Sequence, residues 1–404
     1  MATVKQGVNM TDFSAKIKET RFHRFTVQSN IPGKEITVRQ TAHKFLFGSN
    51  VFGLTRLDDS RKRIYQKRIQ EVWNAGTLPF YWGRYEPEEG NPDPDNRVYD
   101  AAVWAKDRGF RLKGHPLCWH TVCAPWLLKY DNDTIFQMQM DRIRRDVSRF
   151  KGIIDMWDVI NEVVIMPVFN KYDNAVTRLA NHMGATNLVL ECFKAVREVN
   201  PDAYLLINDF DLSPSYEKLI AELLDKGCTI DAIGLQTHQH EGYRGADAFA
   251  DYLERFSKFN LPLHFTENTI LSGKIAPKVD DLNDIKWKFW PSTPWGEARQ
   301  KQQTEEFYSQ LYAHPLVEAI VWWDMEDGNW LNAPAGLLRK NHSQKPAFKK
   351  LKKLIKGDWW FQEQTFGNTG KFEITAPEGE YEAVVDGKAT AFTLDKKQTD
   401  VTIG

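Results

Sequence analysis

The chain has 404 residues, 53 Lys and Arg against 54 Asp and Glu, and a formal charge of −1. That length holds one large domain with an appendage, and the balanced charge offers no clustered basic face for nucleic acid. Fourteen Trp are more than a core of this size needs and suit stacking on a ring-bearing ligand such as a sugar.

Along the chain, short β-like runs alternate with amphipathic segments. The predicted strands are Phe45–Val51, Leu78–Trp82, Leu112–Trp119, Met156–Asn161, Tyr204–Phe210, Ala232–His238, Leu263–Thr266 and Ala319–Trp323. Helical patterns lie between them, as at Arg61–Asn74, Thr134–Phe150 and Gln300–Ala313, and Lys345–Ile355 closes the series. Eight such units predict a (β/α)8 barrel spanning 45–356. An open doubly wound sheet is the alternative, but no Gly-rich phosphate loop follows the first strand.

From residue 357 the pattern has period two, with an Asp386-Gly387 turn, so 357–404 reads as a small all-β module. Phe22–Val27 and Glu35–Gln40, within an N-terminal segment 1–44, alternate in the same way. Both chain ends are therefore expected in one β-sandwich beside the barrel. Cys118, Cys123, Cys192 and Cys228 have no zinc spacing and are expected as free thiols. No apolar run is long enough for a membrane helix. Met1–Gly7 lacks the apolar centre of a leader. A secreted or periplasmic protein with its leader removed is the expectation, ahead of a cytoplasmic one, and a monomer.

Two strands end in Glu: Asp155-Met-Trp-Asp-Val-Ile-Asn-Glu162 and Leu261-Pro-Leu-His-Phe-Thr-Glu267. Active sites of such barrels form at the C-terminal strand ends, so two carboxylates there are equipment for cutting a glycosidic bond. The other ends supply His115, Trp119 and His120, then Asn161, Asn208 with Asp209, Gln236 with His238, and Trp323 with Asp327 and Trp330. His120 is assigned to the core.

Gly114-His115-Pro-Leu-Cys-Trp119-His120, Trp157-Asp-Val-Ile-Asn161-Glu162, Ile207-Asn208-Asp209, Gly234-Leu-Gln236-Thr-His238 and Thr266-Glu267 resemble family 10 glycoside hydrolases, the β-1,4-xylanase family of (β/α)8 barrels. The likeness runs from about Phe45 to Leu354. It implies a retaining endo-acting hydrolase of xylan or a related plant β-glycan, working on a poly- or oligosaccharide without metal or organic cofactor. Glu162 would be the proton donor and general base, and Glu267 the nucleophile, about 5–5.5 Å apart. His238 would orient Glu267, and Asn161 would meet the sugar 2-hydroxyl. His115, Trp119, Gln236, Asn208, Tyr81, Trp323 and Trp330 would bind sugar, with Trp322 as the alternative to Trp323. Either Asp327 or Glu326 fits the family's acid in that last segment.

The chain departs from the family twice. Where xylanases place an Asn and a Lys that grip the neighbouring sugar, this chain has Leu78 and Tyr81. Where Leu-Asp usually follows the nucleophile, this chain has Asn268-Thr269, which removes an anionic partner from His238. The same mechanism on a different β-glycoside, and a catalytically silent sugar-binding barrel, are the rival readings. Residues 270–299 carry Trp287, Trp290 and Trp295, expected as a stacking wall over the mouth.

Overall fold

The structure is a computed structural model that describes residues 12–30, 34–367 and 370–403; Met1–Gly7 and the rest of 1–11 lie outside them. Fifteen strands occur in the described residues. In chain order they are β1 Phe22–Ser29, β2 Ile36–His43, β3 Leu46–Asn50, β4 Ala75–Pro79, β5 Arg111–His115, β6 Met156–Asn161, β7 Tyr204–Asp209, β8 Ala232–Gln239, β9 Leu263–Ile270, β10 Val317–Trp322, β11 Gln364–Phe366, β12 Lys371–Pro377, β13 Gly379–Val385, β14 Lys388–Leu394 and β15 Asp400–Ile403.

Strands β3 to β10 close into a parallel barrel in the order β10-β3-β4-β5-β6-β7-β8-β9. Every residue of β3, β6 and β9 is buried, as strands covered on both faces require. The outer helices start on side-chain caps: Asp58 accepts from the Arg61 N–H, and Asp131 from the Thr134 N–H. Leu46, Ala75, Met156, Leu206, Ala232 and Ala319 fill the barrel's N-terminal end, so the lumen there is packed.

Several strand limits differ from the sequence pattern. The second strand is Ala75–Pro79 rather than Leu78–Trp82 because Asn74 bonds the Phe47 N–H and the His43 and Phe45 carbonyls, starting pairing at once. Trp82 instead opens a helical turn, Trp82–Tyr85. The third strand ends at His115, where the His115–Pro116 peptide is cis, and not at Trp119. The seventh continues through Glu267 to Ile270, so Glu267 lies within the strand. The closing helix is Pro346–Lys353, widening into a π turn at Leu354–Asp358.

Both chain ends build the accessory sheets. β1 lies between β12, antiparallel, and β15, parallel. β2 lies between β11 and β13, with β14 outside β13. Phe25, Val27, Ile36, Val38, Ile374, Tyr381 and Leu394 pack between the two sheets. Arg21 fastens this layer to the barrel, donating to the carbonyls of Tyr312 and His314 at 2.6 Å and of Val317 at 2.8 Å. His43 donates from Nε2 to the Ile355 carbonyl at 2.8 Å, and burial pushes its pKa down to about 3, so the ring stays neutral.

Candidate active site

The two glutamate-bearing strands share a local device. Between β6 and β7, Asp158 pairs with Leu206 and Ile160 with Ile207, so the register slips at Val159. Between β8 and β9, Leu235 pairs with Phe265 and Gln236 with Glu267, so it slips again at Thr266. An extra residue of this kind bends its strand and re-aims the next side chains. That is why Glu267 faces the site although its strand continues past it. Glu162 follows β6 at φ 58°, a left-handed backbone that few non-glycine residues adopt, and its N–H donates to the Asn208 carbonyl at 2.8 Å.

One hydrogen-bonded chain joins the two carboxylates. Asn208 Nδ2 donates to Glu267 Oε1 at 2.9 Å and to Asn161 Oδ1 at 2.8 Å. Gln236 Nε2 donates to the same Asn161 oxygen at 3.0 Å and reaches Glu162 Oε1 at 3.5 Å. Thr266 Oγ1 donates to Asn208 Oδ1 at 2.6 Å. Asn208 thus has its donors and acceptor engaged and is fully buried, so the expected sugar contact is corrected: it spaces Asn161 from Glu267. Asn161, with Oδ1 taken twice, keeps Nδ2 free among the described residues.

His238 Nε2 lies 3.2 Å from Glu267 Oε2. Its Nδ1 is buried and has no partner among the described residues, because Thr269, opposite it in register, turns its hydroxyl to His240 Nδ1 at 3.3 Å. His115 Nδ1 is 2.7 Å from Asp158 Oδ2, and Lys113 Nζ is 2.7 Å from that same oxygen. The other His115 nitrogen is 3.7 Å from Glu267 Oε1. His115 therefore backs the carboxylate. Burial raises Asp158, but Lys113 and His115 outweigh it and hold the carboxyl below its ordinary range. Lys113 and Asp158 were missed as a pair; the available signal was an Asp within the largely apolar run Met156–Ile160 and a Lys two residues before His115.

Burial, with Glu267 and then Asp209 nearby, pushes the Glu162 pKa up to about 8. Trp119 Nε1 still donates to Glu162 Oε2 at 2.8 Å. Asp209 is raised to about 7 by burial while accepting from the Val164 N–H at 3.1 Å and the Asp211 N–H at 2.9 Å. It clamps the turn that carries Glu162.

Tyr81 stands edge-on to His115 at 5.7 Å and against Trp119 at 5.4 Å, with Phe52 at 5.8 Å. Burial and the facing Glu267 raise its phenol far above the ordinary value, keeping it protonated. Leu78 is fully buried in the main core. Trp323 lies over His115 and His238, at 5.2 and 6.1 Å, whereas Trp322 is core, donating to the Ala335 carbonyl at 3.0 Å. Trp330 packs on His238 at 4.7 Å and His240 at 5.0 Å. Glu326 is taken by Arg56 and His342, and Asp327 by Lys345 and Ser292. His120 is buried beside Phe169 at 4.5 Å, as core.

The expected stacking wall is not one surface. Trp290 is buried with Leu271 and Ile285, donating to the Lys274 carbonyl at 2.8 Å, and Trp287 leans on it at 4.5 Å. Trp295, 88% exposed, opens the helix Pro294–Tyr312. An apolar loop this long needs a satellite core of its own, and Trp290 supplies its centre.

Residues 43–354 match Glycosyl hydrolase family 10. The chain belongs to that family. It is a glycoside hydrolase of the xylanase-like kind. Over 309 residues it is 25% identical to endo-1,4-beta-xylanase B of Paenibacillus barcinonensis, covering 72% of this chain and 87% of that one. Over 333 residues it is 26% identical to an endo-1,4-beta-xylanase of Geobacillus stearothermophilus, covering 76% and 94%. The fold is shared with xylanase 10B from Thermotoga petrophila RKU-1 in complex with xylobiose, at TM-score 0.61 and 21% identity, over 88% of this chain and 99% of that one. No helix of the described residues in this family 10 enzyme is long and apolar enough to cross a membrane.

Proposed function

We propose that this family 10 enzyme cuts internal β-1,4 bonds of xylan or a related plant β-glycan by double displacement, with retention at the anomeric carbon. The observation that carries the reading is two carboxyls on one network: Glu162 is held protonated up to about pH 8, and Glu267 accepts from Asn208 Nδ2 and lies against His238. One group can give a proton while the other attacks.

In the first step Glu162 passes its proton to the glycosidic oxygen as the bond from C1 to that oxygen breaks. A Glu267 oxygen bonds to C1, giving a glycosyl ester. In the second step the Glu162 carboxylate takes a proton from water, the water oxygen bonds to C1, and Glu267 leaves as carboxylate. Asn161 Nδ2 donates to the sugar 2-hydroxyl in this reading, a bond that strengthens as positive charge develops on the ring. Trp119, Trp323 and Trp330 offer faces for the sugar rings.

Glu162→Ala and Glu267→Ala are each expected to lower turnover of an aryl β-xyloside by several orders of magnitude, read by release of the phenol. Unchanged rates in both would end the assignment, and first-formed product of inverted configuration by NMR would end the double displacement. A second reading, the same mechanism on another β-glycoside, is favoured by the aromatic enclosure of Tyr81 and the burial of Leu78, which stand where xylanases place a Lys and an Asn. A panel of xylan, glucan and mannan oligosaccharides separates the two by the chain that is cut fastest.

A further inference from the structure

The opposite end of the barrel has a cavity of its own. About 360 Å³ lies between the strand starts and the accessory sheets, far from both glutamates. Pockets at such junctions are where small molecules commonly bind. Its walls carry five cationic side chains against two carboxylates, Glu318 and Glu378.

Much of that charge is already satisfied. Lys44 pairs with Glu378 at 3.0 Å and with Asp395 at 2.8 Å, Lys396 lies 3.9 Å from Glu378, and Arg21 holds its three carbonyls. Glu318 accepts from the Tyr204 hydroxyl at 2.9 Å. Arg111 and Lys397 remain, both exposed and without an ion pair among the described residues.

A second observation points the same way. His264 lines the cavity, is 2% exposed, and its Nε2 has no hydrogen-bond partner among the described residues; the Glu318 carboxylate lies 3.9 Å from it, at ion-pair and not hydrogen-bond distance. The ring lies stacked on Tyr204, centroids 5.7 Å apart at 21°. A buried nitrogen left unbonded is costly unless a ligand or water meets it. Beside it, Leu46, Met156 and Leu316 give the cavity an apolar lining.

We propose that this cavity binds a small organic carboxylate with a ring-sized apolar body. The carboxylate meets Arg111, Lys397 and His264 Nε2, and the body lies on Leu46, Met156 and Leu316. Such a ligand would span barrel and sheets without touching the cleft.

The test is calorimetric titration of the whole protein with 4-hydroxycinnamate, its neutral amide and inorganic sulfate. The expected result is one saturable site for the acid, with a Kd at or below about 1 mM, and binding of amide and sulfate weaker by about tenfold or more. Arg111→Glu with Lys397→Glu, both on the surface, is expected to abolish binding while turnover of an aryl glycoside is unchanged. Trp119→Ala, in the cleft, is expected to leave binding intact. No saturation up to about 10 mM, equal binding of the amide or of sulfate, binding that survives the double variant, or binding lost in Trp119→Ala each overturns the proposal.

Discussion

Glu162 combines two costs, a left-handed backbone at φ 58° and a carboxyl whose pKa is raised to about 8. Both are the kind of local strain that an active site retains because the surroundings over-determine it. Here Asp209 fixes the following turn, and Trp119 and Gln236 fix the carboxyl. The proton is the consequence. A group that must donate works below its pKa, so kcat/KM is expected to fall as pH rises through about 8, read as the alkaline limb of a pH–rate profile. Asp209→Asn removes one of the anions that raise Glu162 while keeping an acceptor for the turn. The limb is therefore expected to move to lower pH, and a limb that stays in place would remove Asp209 from the proton's control.

At the scale of elements, the site depends on close approach as much as on charge. Gly114 on β5 meets the Trp157 ring of β6, and an added Cβ would lie 2.1 Å from that ring. Trp157 is fully buried against Phe80 at 4.9 Å, so it has nowhere to go. Gly114→Ala is expected to destabilise the protein by about 1–3 kcal/mol, measured by denaturant unfolding, and to lower activity by shifting His115 next to it. The alternation of apolar runs with amphipathic helices was legible because each period reflects a local burial requirement. The slips at Val159 and Thr266 were not legible, since a bulge depends on what the neighbouring strand pairs with. For that reason the sequence pattern ended the seventh strand at Thr266, while the strand runs on to Ile270.

At the scale of the molecule, two chain ends over 300 residues apart share each accessory sheet, as when Val27 pairs with Phe372 and Val38 with Ala383. β1 and β2 would be bare edges without their C-terminal partners. Removing 359–404 is therefore expected to give an aggregating chain rather than a free barrel, read by light scattering. Arg21→Ala removes the guanidinium donor from three carbonyls at the barrel base, of which His314 keeps the Val317 N–H. Its expected cost is about 1–3 kcal/mol, seen as a lower unfolding midpoint, with the pH profile of catalysis unchanged because the cleft is at the other end.

What the sequence by itself determined was the rhythm of eight βα units and the two glutamates beside Asn161 and His238, because strand periodicity and a carboxylate closing an apolar run are local facts. Tertiary structure decided which Trp faces the cleft, with Trp323 over His115 and Trp322 in the core, since adjacent strand residues point to opposite faces and register picks the face. It also decided that Trp290 is a core residue and that Asn208 braces Asn161 and Glu267. The proton on Glu162 belongs to neither its own segment nor that of Glu267: it arises from burial and from like charges that only folding brings together.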